Sequence, residues 1–361
     1  MEGSESKPEN TRPGSPLHRS DEADGLAADL EVARASSPSH LRSFLRNQGD
    51  SAAADRLFRR LTLLAALTIF VILALVVFEL IIGSWPSISN SGFGFFRSSK
   101  WNPATGDFGA LAFLSGTLAS SGIAMVLAVP FALAVAIFLT EMCPRALRTP
   151  LTTLTDFLSA VPSVVYGLWA LFVLVPLVRS EVGPGLAAIL GWTGLFDGAN
   201  YGIGVLAAGI VLAIMVLPPV LSLSREIMSA VPHSQREAVL ALGATRWEMV
   251  RVAVLRNARL GILGAVVLGF GRAVGETIAV VMVIGNRPAV VNSLFAQGAS
   301  MASVIANEFG GAQGALYRSA LIEIGLALFT ITILVNTVAR ILVWAAARET
   351  PAGARSSYYW W

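Results

Sequence analysis

The sequence predicts an all-α integral membrane protein with about six transmembrane helices, and three observations carry that prediction. Of 361 residues, 55% are hydrophobic and only 14% charged, far from the balance of a soluble domain. Apolar runs of bilayer length recur along the chain between short polar segments. Arginines crowd one alternating set of those segments and avoid the other.

Residues 1–58 are rich in Ser, Pro, Asp, Glu and Arg and sustain no helical or strand period, so they read as a disordered tail. The first apolar run begins only at Leu61 and is too long for the core of a cleavable signal. Arg59 and Arg60 just before it read as a basic flank rather than a twin-arginine export signal. Leu61 to Ile82 then supplies 22 mostly apolar residues, about 33 Å of helix, which matches a bilayer core. From Gly83 to Asp107, Gly, Pro, Ser and Asn interleave with Trp85, Phe93, Phe95, Phe96 and Trp101, the composition of an interfacial segment.

The second span is expected from about Gly109 to Leu139, kinked or divided by Pro130, with Glu141 to Pro150 as a short turn. A third follows over Leu154 to Val178, and Arg179 to Asn200 reads as a Gly-rich loop. The fourth covers Gly202 to Leu223, closing after the Pro218 and Pro219 break. Spans five and six take Gly261 to Ile284 and Leu316 to Trp344. Between them, Met301 to Phe309 has the character of a short interfacial or re-entrant helix, because Asn307 and Glu308 forbid a true span. The transmembrane domain is thus read as 59–348, with 349–361 as a second tail.

Orientation follows from the arginines. Arg145, Arg148, Arg225, Arg236, Arg246, Arg251, Arg256, Arg259 and Arg340 fall on the flank shared with Arg59 and Arg60, whereas the opposite set holds little beyond Arg97, Lys100, Arg179, Arg287 and Arg318. The first set is expected in the cytoplasm, with both termini and a loop at 225–259. A net charge of +3, scattered among apolar spans, leaves no nucleic-acid footprint. The one cysteine, Cys143, excludes an intrachain disulfide, and His18, His40 and His233 are too scattered for a metal site. No cofactor is expected either.

The loop has its own grammar. Ser234 with Glu237 and Thr245 with Glu248 both match the capping box, in which hydroxyl and carboxylate each satisfy an orphan donor at a helix start. Gly243 lies between them, where a left-handed residue would stop one helix and redirect the chain into the next. The result is an elbow of two short helices carrying Trp247, Met249, Val250 and Val252 among its charges. Two readings stay open on these residues alone: the elbow lies on lipid or on its own spans, or a partner groove covers it.

Beyond the elbow, Arg272 and Glu276 stand four residues apart inside an apolar run, which places them on one face of the expected helix. Each charge costs about 3 kcal/mol to insert unless paired or wet. A guanidinium fork suits a tetrahedral oxyanion, and the carboxylate can orient it or balance it once the anion leaves. Thr277 adds a hydroxyl, unless it bonds back within its own helix. The alternative is a static ion pair bracing two subunits. Gly269, Gly271 and Gly275 lack the spacing and the preceding strand of a nucleotide fingerprint and read as close helix contacts. Glu323, inside span six, is a further candidate for the pathway.

Glu237 and Ala238, Gly243 and Leu255 fall in the spacing of the EAA loop of ABC importer permeases, the element that docks on the ATPase subunit. Val239, Ala253 and Arg256 depart from that pattern, where it has a second alanine, a larger apolar residue and a proline. The run GATRWEMVRVAVLRNARLGILGAVVLGFGRAVGETIAVVMVIGN, with SAVPSVVYGLWALF upstream and ASVIANEFGGAQGALYRSALIEIGLALFTITILV downstream, resembles the permeases of the bacterial phosphate-specific ABC importer, the PstC type more than the PstA type.

The resemblance covers about Leu61 to Val343 and implies the type I importer permease architecture. It also implies ATPase coupling through Glu237, Ala238, Gly243 and Trp247, and translocation of inorganic phosphate past Arg272, Glu276 and Thr277. The partners it implies are an ATPase subunit dimer, a second permease of the PstA type, an extracytoplasmic phosphate-binding protein and the lipid of a bacterial plasma membrane. The chain's two lysines, Lys7 and Lys100, follow no phosphate cradle, so it is expected to be a permease subunit and not itself the ATPase. The open alternatives are a permease for sulfate or molybdate and a self-sufficient channel or secondary anion transporter.

Overall fold

The structure, a computed structural model, describes residues 51–348, and the tails expected before and after lie outside the described residues apart from 51–58. In chain order the main helices are α1 (Ser51–Ser91), α2 (Leu111–Ile137), α3 (Arg145–Ala160), α4 (the helical run Ser163–Thr193), α5 (Val205–Ser229), α6 (His233–Ala241), α7 (the helical run Arg246–Gly275), α8 (Ile278–Val283), α9 (Met301–Glu308) and α10 (Ala315–Arg348). Six of them are long and apolar enough to cross a membrane. Among the described residues the only β pairings are two isolated bridges, Asn102 with Asp107 and Gly285 with Gly298.

Several expected boundaries move, mostly outward. α1 is already helical at Ser51, inside the stretch read as tail, where Ala52, Ala53 and Ala54 favour helix, and it runs through Gly83 and Pro86 to Ser91. Arg179 to Thr193 continues α4 through a π turn at Val178–Val182 instead of forming a loop. α5 runs through Pro218 and Pro219 to Ser229, and α2 is not divided at Pro130. Turn residues end helices in water because water takes over the freed backbone groups; in an apolar surround each orphan group costs several kcal/mol, so the helix persists.

The expected turn after span two is instead α3, with a break at Val161 and Pro162 before α4. α3 is amphipathic: Leu147, Leu151, Leu154 and Leu158 share one face, and its threonines and arginines take the other.

By internal contacts the chain divides after Leu75. In the first unit the described side chains from Ala54 onward are all exposed. The second unit is organised on α5, the most buried span. α2 turns Ala124, Ala128, Ala132 and Ala136 inward, none more than 1% exposed, and this face of small residues lets the two helices approach closely.

Near the start of α2, Ser115, Gly116 and Thr117 form a platform for the chain that follows α8. Ser115 Oγ accepts from Val291 N at 3.3 Å, and Thr117 Oγ1 accepts from Met301 N at 2.9 Å. Between them a Cβ on Gly116 would overlap the Ala299 carbonyl oxygen. Gly116→Val is therefore expected to destabilise the protein by about 1–3 kcal/mol or more through overpacking, measured as a lowered Tm in detergent.

α9 forms as expected, capped by Ser300, whose Oγ accepts from Ser303 N at 3.0 Å. Its last residue, Glu308, accepts from Trp101 Nε1 at 2.8 Å and Tyr317 Oη at 2.6 Å within a cluster of Trp101, Phe108, Phe113 and Tyr317 rings. Near its end α1 meets α10, where a Cβ on Gly83 would overlap the Ile322 side chain and Ser87 N donates to Ser319 Oγ at 2.9 Å. Ser84, Ser87, Ser319 and Glu323 are all buried there, so Glu323 belongs to a helix contact within this chain.

Candidate coupling elbow and translocation helix

Pro232, extended at φ −60° and ψ 140°, starts α6 two residues ahead of Ser234. Ser234 therefore falls inside the first turn, and the expected Ser234 and Glu237 capping box does not form. Glu237 and Ala238 are left exposed. Gly243 takes φ +84°, the left-handed conformation that a chain-reversing residue here requires. The second box does form: Glu248 N donates to Thr245 Oγ1 at 3.3 Å and Thr245 N to Glu248 Oε2 at 2.8 Å.

The outward surface of the elbow is apolar at its tip, with Leu242 88% and Trp247 57% exposed. Sequence reasoning missed Leu242, whose signal is its place immediately before the turn glycine.

The inward face was missed too. Arg236, 8% exposed, donates to Glu141 Oε1 at 3.1 Å, to Met228 O at 2.8 Å and to Val231 O. Glu141 lies in the π turn Phe138–Met142 that ends α2, and Met228 lies in the last turn of α5. No local pattern joins residues 95 positions apart; the available hint is that Arg236 shares a helix face with Val239, which packs on the core.

The elbow's second helix and the fifth span are one helix, α7, of 30 residues. The departures from the EAA pattern fall where this continuity is decided. Arg256 continues the helix where a proline would have removed a backbone donor, and Ala253 is buried at 3% within a π turn, Val250–Leu255. Asn257 Nδ2 also donates to Gln235 Oε1 at 2.7 Å, tying α7 back to α6.

At its far end α7 carries Arg272 in its last turn. It does not continue through Glu276, which is extended at φ −72° and ψ 126°, so the expected shared helical face for Arg272 and Glu276 is corrected. Gly275 just before the break weakens the helix, and Ala273 O still accepts from Glu276 N at 3.4 Å. Arg272 is exposed and Glu276 half-buried, and among the described residues no hydrogen bond or ion pair joins them or engages either side chain. Thr277 Oγ1 bonds locally to Gly275 O at 3.3 Å. Of the three glycines, Gly269 makes the expected close helix contact, to Val220 of α5, while Gly271 and Gly275 have nothing close.

An elbow with an apolar tip, a continuous helix and two charges at its far end with no partner among the described residues, within a chain of six helices long enough to cross a membrane, are parts that suit a transport permease. Residues 128–348 match the family described as binding-protein-dependent transport system inner membrane component. The phosphate transport system permease protein PstC of Mesorhizobium japonicum is 43% identical over 305 residues, covering 83% of this chain and 93% of that protein. PstC of Haemophilus influenzae is 44% identical over 293 residues, covering 80% and 93%. The chain belongs to the PstC family of phosphate transport system permease proteins. Among solved structures, an inward facing conformation of the MetNI methionine ABC transporter matches with a TM-score of 0.50 at 16% identity, covering 68% of this chain and 99% of that one, a likeness of fold.

Proposed function

We propose that this chain is the membrane permease subunit of an ATP-driven importer of inorganic phosphate, one of two permeases that together form the pathway. It performs no hydrolysis itself. A separate ATPase dimer grips the elbow through Glu237, Ala238, Gly243 and Trp247, a PstA-type permease completes the cavity, and an extracytoplasmic phosphate-binding protein delivers the anion. Both termini and the elbow face the cytoplasm of a bacterial plasma membrane, because the arginines do.

The observation that carries this reading is the unbroken helix from Arg246 to Gly275. Its length sets the elbow about 38 Å from Arg272 at about 1.5 Å per residue, so one rigid element reaches from the gripped surface to the candidate anion site. Closing the ATPase dimer on ATP moves the elbow, the helix carries the motion, and Arg272 with Glu276 and Thr277 changes its exposure to the two sides. An arginine with no partner among the described residues is suited to a phosphate oxygen, which it can meet with two parallel hydrogen bonds.

The test is reconstitution in liposomes. The chain alone is expected to move no phosphate; with the ATPase, the second permease and the binding protein it is expected to give ATP-dependent uptake that sulfate and molybdate fail to compete. Phosphate flux through the chain alone would establish a channel or secondary transporter instead. Competition by the other oxyanions would change the substrate and leave the machinery in place.

A further inference from the structure

The elbow has a second attachment to the membrane helices that owes nothing to α7. Arg236 points inward from α6, on the side away from exposed Glu237 and Ala238, and its guanidinium holds two other elements at once. One bond goes to Glu141 at the end of α2, and two go to the Met228 and Val231 carbonyls at and just beyond the end of α5. The Arg236 and Glu141 side chains are 10% and 8% exposed, so water does not screen the pair. The same end of α2 is gripped from its other neighbour, since Arg148 of α3 donates to Leu139 O at 2.8 Å and to Thr140 O.

We propose that the Arg236–Glu141 pair is a latch that makes α2 move with the elbow, giving the ATPase stroke a second route into the membrane besides α7. Apolar contact alone lets one helix slide along another, because it has no preferred direction. A forked, charge-assisted bond fixes both position and orientation. α2 then delivers the motion at its opposite end, where Ser115 and Thr117 hold the backbone of Val291 and Met301 in the segment that follows Glu276 and α8. The two routes therefore reach the two sides of the helix break: α7 carries Arg272, and α2 carries the chain beyond Glu276. Arg236 and Glu141 are positioning residues, and neither needs to touch the transported ion.

The latch rests on the ATP-driven importer reading, and the test separates the two. The whole complex is reconstituted with the binding protein, and ATP hydrolysed per phosphate imported is measured together with the amount of ATPase subunit retained. In the double variant Arg236→Met with Glu141→Leu the site stays filled and no lone charge is left buried, so assembly is expected at the wild-type level. The ATP-to-phosphate ratio is expected to rise about 10-fold, the scale of ordinary coupling between sites.

Arg236→Lys keeps the charge and loses the fork, and is expected to raise the ratio about 3-fold. A wild-type ratio in both variants, whatever amount of complex assembles, overturns the latch. A wild-type complex without ATP-dependent phosphate uptake overturns the importer reading and takes the latch with it.

Discussion

Phosphate uptake by the assembled complex is expected to fall at least about 30-fold in Arg272→Ala, and similarly in Glu276→Gln, while membrane insertion and recovery of the partner subunits are expected to stay at the wild-type level. The magnitude follows from removing one member of a desolvated charge contact, which costs about 2 kcal/mol or more. The specificity of the effect follows from the structure. Arg272 is exposed on the last turn of α7 and Glu276 half-buried at the break, and among the described residues neither side chain has a hydrogen bond or ion pair. Replacing them strands no donor or acceptor among the described residues, so the fold has little to lose. A static brace between two subunits predicts the opposite pattern, with recovery of the partner permease falling first. Labelled phosphate uptake and co-purification, measured on the same vesicles, separate the two, and wild-type uptake in either variant removes that residue from the pathway.

Trp247→Ala is expected to weaken capture of the ATPase subunit by about 30-fold or more, the loss typical of an aromatic anchor worth about 2 kcal/mol at an interface. Trp247 and Leu242 are 57% and 88% exposed at the tip of the elbow. Apolar side chains grouped on an otherwise polar extramembrane element mark a surface that another molecule covers. The substitution spares the elbow's shape, which depends on the Gly243 turn and the Thr245 and Glu248 box. Titration of purified ATPase subunit against the detergent-solubilised permeases measures the loss; affinity equal to wild type would assign the exposed surface to lipid instead.

Six membrane helices were legible because each needs only a long apolar run, and α9 was legible because Asn307 and Glu308 interrupt one. The helix ends were not. Gly83, Pro86, Pro218 and the stretch from Arg179 are ordinary stop signals, yet the chain stays helical through all of them because its backbone has nowhere else to bond. The reverse error occurs at Glu276, where the residues read as one continuous helix and the chain breaks after Gly275.

At the site, Gly243 and the second capping box could be read directly, since each is a local device with a fixed spacing. The first box failed because Pro232 opened the helix two residues earlier than Ser234 would have. Arg236 and Glu141 meet across 95 positions, and such a pairing is a property of the packed helices with no trace in local spacing.

The π turn at Val250–Leu255 bears on direction rather than distance. In a regular α-helix the 25 positions from Trp247 to Arg272 would bring the two side chains to within about 20° of the same azimuth. A π turn carries one residue more than an α turn, so it winds the helix back by about 100° and opens that angle to about 120°. A single surplus residue thus lets one rod face its anchor in one bearing and its terminal arginine in another, and the angular phase between input and output is written into six residues near the elbow.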